Sequence, residues 1–544
     1  MKSRIGFVLM VLLLIAPTLH AQGVTWQDRF NHQLGITFTL PPNYELLPGD
    51  DVIYSNGSNT ITFEPVTSLF IHSLDLEEAC NIVSLDTPGY NARVLGKGQH
   101  GVCIYSKGRQ SYTTIVTEDH RYLQGGAEYD YLVVKAPKED LVNVTDSIQF
   151  VDRVNAHLYL DEALRLIRVN FVYPDSVDWS KLSQQALDMV TDDYDMTEAY
   201  SALDYVFDQI KGFSAHKGGL LPPDEDSYSL YEIQDRLGYV LTSPHIGRYR
   251  TVMLVYPDSP AEYAGLRVGD VVETINGKDA RFVNEPQRRK VTLGVRRAGE
   301  GETLTIGIIP DYYESYLPVE GRRLDNKLGY IETFSASFRN SYDYLYQYPA
   351  DAQNTIRSID EDGTCGWVVD VRRNHGGLAL VMGLALGPLR GEGRWFGMRS
   401  VTGDITWYDY QYGAFPDVSD QLVIYDPYQL QEPNPPIAVL VSAETASMGE
   451  MTAYIMQSRP NAHTRIFGEP TGGYLSDAFT LVSLIDGAQL ALVNDRGVGP
   501  DRQLLPYSIQ PDVQIKTDYT AYGTDSDRVL SAARQWLLEQ PECG

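Results

Sequence analysis

Two nearly continuous apolar runs, each followed by a turn and a helical pattern, constrain the fold of this chain more than any other feature. The run "GWVVDV" begins at Gly366 and leads through a glycine pair into the apolar sequence "LALVMGLALG". The run "IAVLVS" begins at Ile437 and leads through "AETASMG" into "EMTAYIMQ". Strands without polar alternation are buried on both faces, which is typical of parallel sheets covered by helices. We therefore predict a three-layer α/β domain here, with loops at the strand ends available for a site.

Length and charge limit the class of protein. The chain has 544 residues, which is too many for a single hydrophobic core, so we expect several domains. Hydrophobic residues make up 43% and charged residues 21%, which is an ordinary globular composition. The formal net charge of −28 favours solubility and repels polyanions, which argues against a nucleic-acid partner.

The first 21 residues have the layout of a signal peptide. Lys2 and Arg4 precede an apolar stretch at 6–16, and small residues follow near Ala21. The apolar stretch is too short to span a bilayer comfortably, although an uncleaved anchor remains an alternative. We expect an exported protein that is secreted, periplasmic or held in the cell envelope.

The four cysteines allow three disulfide pairings. Cys80 and Cys103 fall in one N-terminal segment, and an oxidising compartment permits a bridge between them. The alternative is a pair of buried thiols. Cys365 precedes an apolar strand, and we expect it to be simply buried.

Two segments precede the apolar runs. Residues 22–153 contain short strands with turn punctuation such as "SNGSN", which predicts an antiparallel α+β module. The opening "GITFTLPPNYE" and the closing "DSIQFV" of this module resemble the PsbP/Mog1-like sandwich. Residues 154–227 show helical periodicity and end in a glycine-rich and proline-rich loop, with Asp195 or Thr197 as helix caps.

A third segment, residues 228–312, contains "RTVMLVYPDSPAEYAGLRVGDVVETINGKDA". A strand, a short helix ended by Gly265, a tight turn and another strand follow in this order, which resembles the PDZ domain family. The resemblance implies a groove that takes an extended peptide as an added strand. The alternative is a PDZ fold that serves only as a spacer. Residues 313–544 then form the α/β core.

Ser447 in "ETASMGEM" is the candidate nucleophile. Taken alone, Ser447 and Glu450 have the spacing of a capping box, which is a purely structural interpretation. Gly376 and Gly377, however, follow a neighbouring strand, and such turns leave backbone N–H groups available to an oxyanion. The amide of Met448 starts the helix that follows Ser447. A nucleophile and an anion pocket at adjacent strand ends are typical of acyl transfer.

Five blocks follow one another in this part of the chain: "GYIETFSASF", "GWVVDVRRNHGG", "IAVLVSAETASMGE", "IFGEPTGG" and "SIQPDVQI". They resemble the successive blocks of the S41 peptidase family, which includes the C-terminal processing proteases and the tricorn-like enzymes. Together with the helical segment and the PDZ-like insert, the resemblance covers residues of about 155 to 535. It implies a multidomain α/β protein whose core is ClpP/crotonase-like. It also implies that Ser447 is the nucleophile and that Gly376, Gly377 and Met448 form the oxyanion hole.

The two branches of the family differ in the residue that accepts the proton of the serine. The processing-protease branch uses a lysine in a T-x-G-K-G block, whereas this sequence has Tyr474 after Gly473. The tricorn-like branch uses a histidine in the loop after the helical segment, which carries over to His216. Imidazole suits this role because its ordinary pKa of about 6.5 lies near neutrality. His375, beside the glycine pair, is the alternative base.

Two departures from the family pattern leave the orienting group of the histidine open. Ser214 stands where the tricorn-like branch often has an acidic residue before the histidine, and Leu505 stands where it has a glutamate. A histidine without an orienting group has an unset tautomer, which can impair a triad severely. Asp501 and Ser508 are candidate substitutes.

The sequence therefore predicts an exported serine endopeptidase of the S41 type, a hydrolase that acts on protein or peptide substrates captured by the PDZ-like domain. We expect neither a metal nor another cofactor, because no H-E-x-x-H motif, paired-cysteine spacing or phosphate loop is present. Two alternatives remain open. One is an inactive S41-like protein that binds peptides or ligands in the cell envelope, and the other is an adhesion or assembly protein driven by the N-terminal module. The oligomeric state is not indicated by the sequence.

Overall fold

The computed structural model describes residues 27–543 apart from several segments, of which the longest are 67–90, 117–130 and 222–235. The predicted signal peptide lies outside the described residues, as do Cys80 and the side chain of Cys103. Within the described part of the chain, no helix combines the length and the apolar character needed to cross a membrane. The chain divides into two compact units, residues 1–162 and 163–544.

The first unit contains antiparallel sheets and a helix, α1 (Lys138–Asp146). Its strands are β1 (Gln27–Asn31), β2 (Ile36–Leu40), β3 (Glu45–Leu46), β4 (Ile53–Ser55), β5 (Thr60–Val66), β6 (Asn91–Lys97), β7 (Gly101–Lys107), β8 (Gln110–Val116), β9 (Tyr131–Pro137) and β10 (Gln149–Phe150). Among the described residues, the strand orders are β1-β2-β10 and β3-β4-β5-β9-β8-β7-β6. The predicted "SNGSN" hairpin is confirmed, since Ser55 pairs with Thr60 and Gly57 has a φ of 84°.

Helices follow this module, as the apolar periodicity predicts. They are α2 (Ala156–Asn170), α3 (Trp179–Leu187) and α4 (Met196–Ile210). The side chain of Asp195 accepts a hydrogen bond from the Thr197 amide and so caps α4. The strand β11 (Gly219–Leu221) comes directly after the loop that holds His216.

The PDZ-like segment forms a sheet of its own with a short helix, α5 (Pro260–Tyr263). Its strands are β12 (Tyr239–Leu241), β13 (Arg250–Val255), β14 (Val271–Ile275), β15 (Lys278–Asp279), β16 (Val291–Arg296) and β17 (Leu304–Ile308). The order is β12-β13-β14-β16-β17, with β15 paired to β14. Ser259 caps α5, and Gly265 follows the helix with a φ of 80°, where a glycine is favoured.

The remaining strands and helices form the α/β core. The strands are β18 (Glu320–Leu324), β19 (Leu328–Glu332), β20 (Gly366–Asp370), β21 (Gly393–Ser400), β22 (Ile405–Tyr410), β23 (Ile437–Val441), β24 (Thr464–Gly468), β25 (Asp477–Ser483), β26 (Gln489–Val498) and β27 (Val513–Gln514). The helices are α6 (Tyr342–Asp360), α7 (Ala379–Arg390), α8 (Met448–Gln457) and α9 (Arg528–Leu538).

The predicted three layers are confirmed by the sheet β18-β19-β20-β23-β24-β27, whose strands from β19 onward are parallel. Successive side chains of β20 point to opposite faces. Trp367 and Val369 pack with α6, α7 and α8, whereas Val368 packs with α9. Both faces are therefore covered, which explains why these strands lack polar alternation.

A second sheet of the core has the order β11-β26-β21-β22, and β25 also pairs with β26. The strand β26 is long enough to hold β25 along one side and both β11 and β21 along the other. It thereby brings the loop before β11 close to the start of β25, although more than 250 residues separate the two in the chain.

The expectation that Cys365 is simply buried is wrong. Cys365 forms a disulfide bond with Cys543, across a sequence separation of 178 residues. The end of the chain returns to the start of β20, where the Lys327 side chain donates to the Cys543 carbonyl and the Cys365 amide donates to the Lys327 carbonyl. This pairing arises from the tertiary fold, and local sequence gives no sign of it.

Candidate functional site

The catalytic candidate Ser447 lies on a strained turn between β23 and α8. Its φ of 52° and ψ of −120° fall outside the regions that non-glycine residues normally adopt. Such strain is kept only where the surroundings impose it, and it occurs most often at functional sites. The turn holds the hydroxyl of Ser447 at the N-terminus of a helix and at the carboxyl edge of the parallel sheet.

Glu450 holds this turn in place through hydrogen bonds to the backbone. Its buried carboxylate accepts hydrogen bonds from the amides of Ser447 at 2.9 Å, Gly473 at 3.0 Å and Tyr474 at 2.7 Å. The hydroxyl of Thr471 donates to the same carboxylate. Burial raises the pKa of Glu450, and these donors oppose the rise. Glu450 therefore supports the turn, in line with the capping interpretation.

The turn after β20 interlocks with the Ser447 turn. The Ala446 amide donates to the Asn374 carbonyl at 3.1 Å, and the Thr445 hydroxyl donates to the Val371 carbonyl at 2.9 Å. A Cβ atom at Gly376 would lie 2.6 Å from the Cβ of Ser447, which is closer than real Cβ atoms approach. Only glycine therefore allows the two turns to come this close.

The structure brings His216 to Ser447. The Nε2 atom of His216 lies 3.3 Å from the Ser447 Oγ atom. On the other side of the ring, Nδ1 lies 2.9 Å from Oδ1 of Asp477. The same oxygen accepts the backbone amide of His216 at 3.0 Å. Both His216 and Asp477 are buried. These contacts form a continuous hydroxyl, imidazole and carboxylate chain.

The other predicted bases and orienting groups lie elsewhere. His375 is exposed, and its Nε2 atom lies 3.8 Å from Glu444. Asp501 accepts the amide of Gln503, and Ser508 accepts the side chain of Gln510. Leu505 is buried in the apolar core of the α/β domain. Ser214 lies outside the described residues.

Asp477 was not identified from the sequence. It is the first residue of β25 in "LSDAFTLVS", where an acidic residue before an apolar strand looks like an ordinary strand boundary. The pairing of both β11 and β25 with β26 places it beside His216. What distinguishes Asp477 is the full burial of its acidic side chain. Burial cannot be read from this sequence pattern, so the sequence contains no local signal for the residue.

The oxyanion candidates differ in what their amides contact. The Gly376 amide donates to the Asn374 side chain at 2.8 Å. The amides of Gly377 and Met448 have no hydrogen-bond acceptor among the residues that the structure describes. Met448 is the first residue of α8, where backbone amides lack partners within the helix. Gly377, with a φ of 126°, is exposed beside the same turn.

Two aromatic side chains flank the His216 ring. The centroid of the Tyr474 ring lies 5.4 Å away in an edge-to-face arrangement, and that of Phe479 lies 5.5 Å away. Tyr474 stands at the position of the lysine that the processing-protease branch uses. In this protein the residue at that position packs against the imidazole and carries no ammonium group.

The PDZ-like segment contacts the turn that carries Ser447. The amide of Ser243 donates to Glu444 at 2.5 Å, and its hydroxyl donates to the same carboxylate at 2.9 Å. Arg373 donates to the Met253 carbonyl of β13 at 3.2 Å and to Glu332 at 2.6 Å. The PDZ-like sheet is therefore tied to the loops that form the site.

The arrangement has the parts that acyl transfer requires. It combines a hydroxyl on a strained turn, an imidazole in contact with it and a carboxylate behind the imidazole. The adjoining turns add two backbone amides, of Gly377 and Met448. Across the described residues, no three His, Cys, Asp or Glu side chains are grouped as metal ligands.

Comparison with known families agrees with the layout of the chain. A family model described as peptidase family S41 matches residues 327–515, and one described as PDZ domain matches residues 251–297. The first match spans the strands from β19 to β27, and the second spans β13 to β16.

Individual relatives are distant. The nisin-resistance protein of Lactococcus lactis is 29% identical over 187 residues, which cover 34% of this chain and 53% of that protein. A carboxyl-terminal-processing protease of Picosynechococcus is 25% identical over 307 residues, which cover 53% of this chain and 66% of that protein. The solved structure of a photosystem II D1 C-terminal processing protease has 22% identity and a TM-score of 0.46, and covers 67% of this chain and 94% of that one.

The chain spans between half and two thirds of the length of these curated relatives. The two family matches and the order of strands and helices nevertheless agree along the second unit. The chain thus carries a domain of peptidase family S41, preceded by a PDZ domain.

Proposed function

We propose that this protein is an exported serine endopeptidase that hydrolyses peptide bonds in unfolded or flexible polypeptides. The observation that carries the proposal is the unbroken chain of contacts from Ser447 through His216 to Asp477. A merely structural serine cap would not require a buried imidazole and a buried carboxylate aligned behind its hydroxyl.

Ser447 Oγ attacks the carbonyl carbon of the scissile peptide bond. His216 Nε2 accepts the hydroxyl proton as the new C–O bond forms, and then gives that proton to the amine that leaves. Asp477 accepts the Nδ1–H of His216, which holds Nε2 as the unprotonated atom and stabilises the imidazolium that forms. Water releases the acyl group by the same proton transfers in the second half of the reaction.

The amides of Gly377 and Met448 hold the oxyanion in this proposal. Met448 follows Ser447 directly, and Gly377 follows Gly376, whose turn meets that of Ser447. Both amides lack another acceptor among the described residues. Gly376 contributes differently from its predicted role, since its own amide is occupied by Asn374. The absence of a side chain at Gly376 leaves the space in which the two turns meet.

The substrate is a protein or peptide, part of which the PDZ domain captures as an added strand. The contacts of Ser243 with Glu444 tie this domain to the nucleophile turn. The disulfide bond between Cys365 and Cys543 supports a location outside the cytoplasm, because such bonds persist in oxidising compartments. A net charge of −28 supports a substrate other than nucleic acid.

The test is the variant Ser447→Ala. It is expected to abolish both the cleavage of an unfolded protein and the labelling by a fluorophosphonate probe, with the circular dichroism spectrum unchanged. Ser458→Ala, at the other end of α8, is the matched control and should retain both activities. Cleavage that persists in Ser447→Ala would exclude the proposed nucleophile. Absence of labelling in the wild type, with peptide binding retained, would favour the alternative of an inactive binding protein.

A further inference from the structure

The strand that begins at Asp477 presents an apolar edge next to the proposed catalytic histidine. Among the described strands, β25 pairs with β26 alone, so its other edge faces away from the sheet. Phe479 and Leu481 are two residues apart and therefore lie on the same face of the strand. Their exposed fractions are 48% and 47%, which is high for large apolar side chains.

An edge of this kind is normally protected in a soluble protein. Exposed edge strands usually carry charges, proline or bulges that discourage pairing with another chain. A register shift against β26 lies at the start of the strand, between Ala478 and Phe479. From Phe479 to Ser483 the pairing is regular, and this part contains no charged residue, no proline and no glycine. An unprotected apolar edge has a physical reason to persist where a partner strand is bound there in function.

The apolar row is continuous with the catalytic site. The Phe479 ring lies 5.5 Å from the His216 ring, and Asp477 at the start of the same strand contacts His216 directly. The Tyr474 ring also contacts the imidazole, in an edge-to-face arrangement. A polypeptide that followed β25 toward its start would thus arrive at Ser447 along an apolar wall.

We propose that β25 is the substrate-binding edge of the enzyme and that Phe479 and Leu481 determine its specificity. An extended segment of the substrate adds to β25 as a further strand, and its side chains at alternate positions pack on Phe479 and then on Leu481. The enzyme therefore selects large apolar residues at two positions, two residues apart, on one side of the cleaved bond. Charged side chains at these positions are rejected because they lose water without gaining a partner. The inference rests on the proposed peptidase function.

Internally quenched peptides test the proposal. One leucine is moved along a fixed sequence that otherwise contains serine at the varied positions, and every peptide has the same termini, so that capture by the PDZ domain is constant. Wild-type kcat/KM should rise about tenfold at two alternate positions. Leu481→Ser should remove the preference at one of them and keep it at the other. Thr480→Ser, on the opposite face of the same strand, is the matched control and should keep both.

The possible results distinguish a loss of substrate specificity from a general structural defect. A wild type without alternate-position preference would overturn the proposal, as would a Leu481→Ser variant with the wild-type preference. An equal loss of kcat/KM on leucine and serine peptides in Leu481→Ser would also overturn it, because a purely structural defect lowers kcat/KM for all substrates alike.

A binding measurement separates this inference from the proposed function. Fluorescence anisotropy of the same peptides with Ser447→Ala, with and without Leu481→Ser, reports the subsite in the absence of cleavage. The wild type could fail to cleave any peptide while this pair of variants still shows the Leu481-dependent preference in binding. That result would support the binding edge and contradict the peptidase function. If cleavage occurs but neither kcat/KM nor binding shows the preference, the result would support the peptidase function and contradict the binding edge.

Discussion

Asp477 holds the loop and the ring of His216 with a single oxygen. Oδ1 accepts both the backbone amide and the Nδ1 atom of His216, at 3.0 Å and 2.9 Å. The Asp477 side chain is fully buried, and a charge in such a position interacts more strongly with its partners than one in water. In the proposed mechanism, Asp477 is the orienting group, in place of the glutamate that the family pattern has at the position of Leu505.

Asp477→Asn is therefore expected to lower kcat by a factor of about 10² to 10⁴, with KM little changed. The amide side chain can donate to Nδ1, which would place the ring proton on Nε2 and remove the base facing Ser447. Steady-state kinetics and the rate of fluorophosphonate labelling measure the effect. Asp501→Asn, at an exposed position away from His216, is the control and should behave as the wild type. A kcat for Asp477→Asn within a few-fold of the wild type would contradict the assigned role.

The element that decides the geometry of the site is the pair of turns after β20 and β23. These parallel strands are neighbours, with Val369 opposite Val439, so their carboxyl ends place the two turns side by side. Gly376 has a φ of 99° and no room for a side chain. Hydrogen bonds from Ala446 and Thr445 then lock one turn to the other.

Gly376→Ala is expected to lower labelling of Ser447 by about 100-fold or more, because displacement of a nucleophile by an ångström has an effect of this size. Gly403→Ala is the matched control. Gly403 has a similar φ of 91°, but nothing lies within 4 Å of an added Cβ atom. Gly403→Ala should lose about 1–2 kcal/mol of unfolding free energy from backbone strain, measured by urea denaturation. Gly376→Ala should lose more, because its added Cβ also meets the Cβ of Ser447. Equal labelling of the two variants would show that the close contact of the turns is not required.

For the molecule as a whole, the covalent link between Cys365 and Cys543 joins the C-terminal residues to the central sheet. The helix α9, which precedes Cys543, packs on one face of that sheet. The bridge therefore restrains the layer that closes the core. A loop of 178 residues is long, and closing it removes much conformational entropy from the unfolded chain.

Cys543→Ser is expected to lower the unfolding free energy by about 2–4 kcal/mol, measured by urea denaturation under oxidising conditions. Cys365→Ser should cause a loss of the same size, and the double variant should lose no more than either single variant. This non-additivity is the test, because both substitutions remove one bond. Additive losses would mean that the two cysteines contribute separately.

Much of the fold could be predicted because its signals are local. The apolar runs of β20 and β23, the helix patterns after them and the "SNGSN" turn depend on residues within a few positions of one another. The predicted placement of Ser447 and Gly376 at adjacent strand ends follows from the same pattern, since parallel strands end at one edge of a sheet. The resemblance to the S41 family added His216 by its place in the order of blocks.

The sequence by itself determined the three-layer core, the PDZ domain and the residues that border the nucleophile. Only the tertiary structure decided that Asp477 lies behind His216, that Cys365 pairs with Cys543 and that Ser243 contacts Glu444. The reason is physical: local pattern specifies strands and helices, whereas the pairing of β26 with both β11 and β25 brings together side chains more than 250 residues apart.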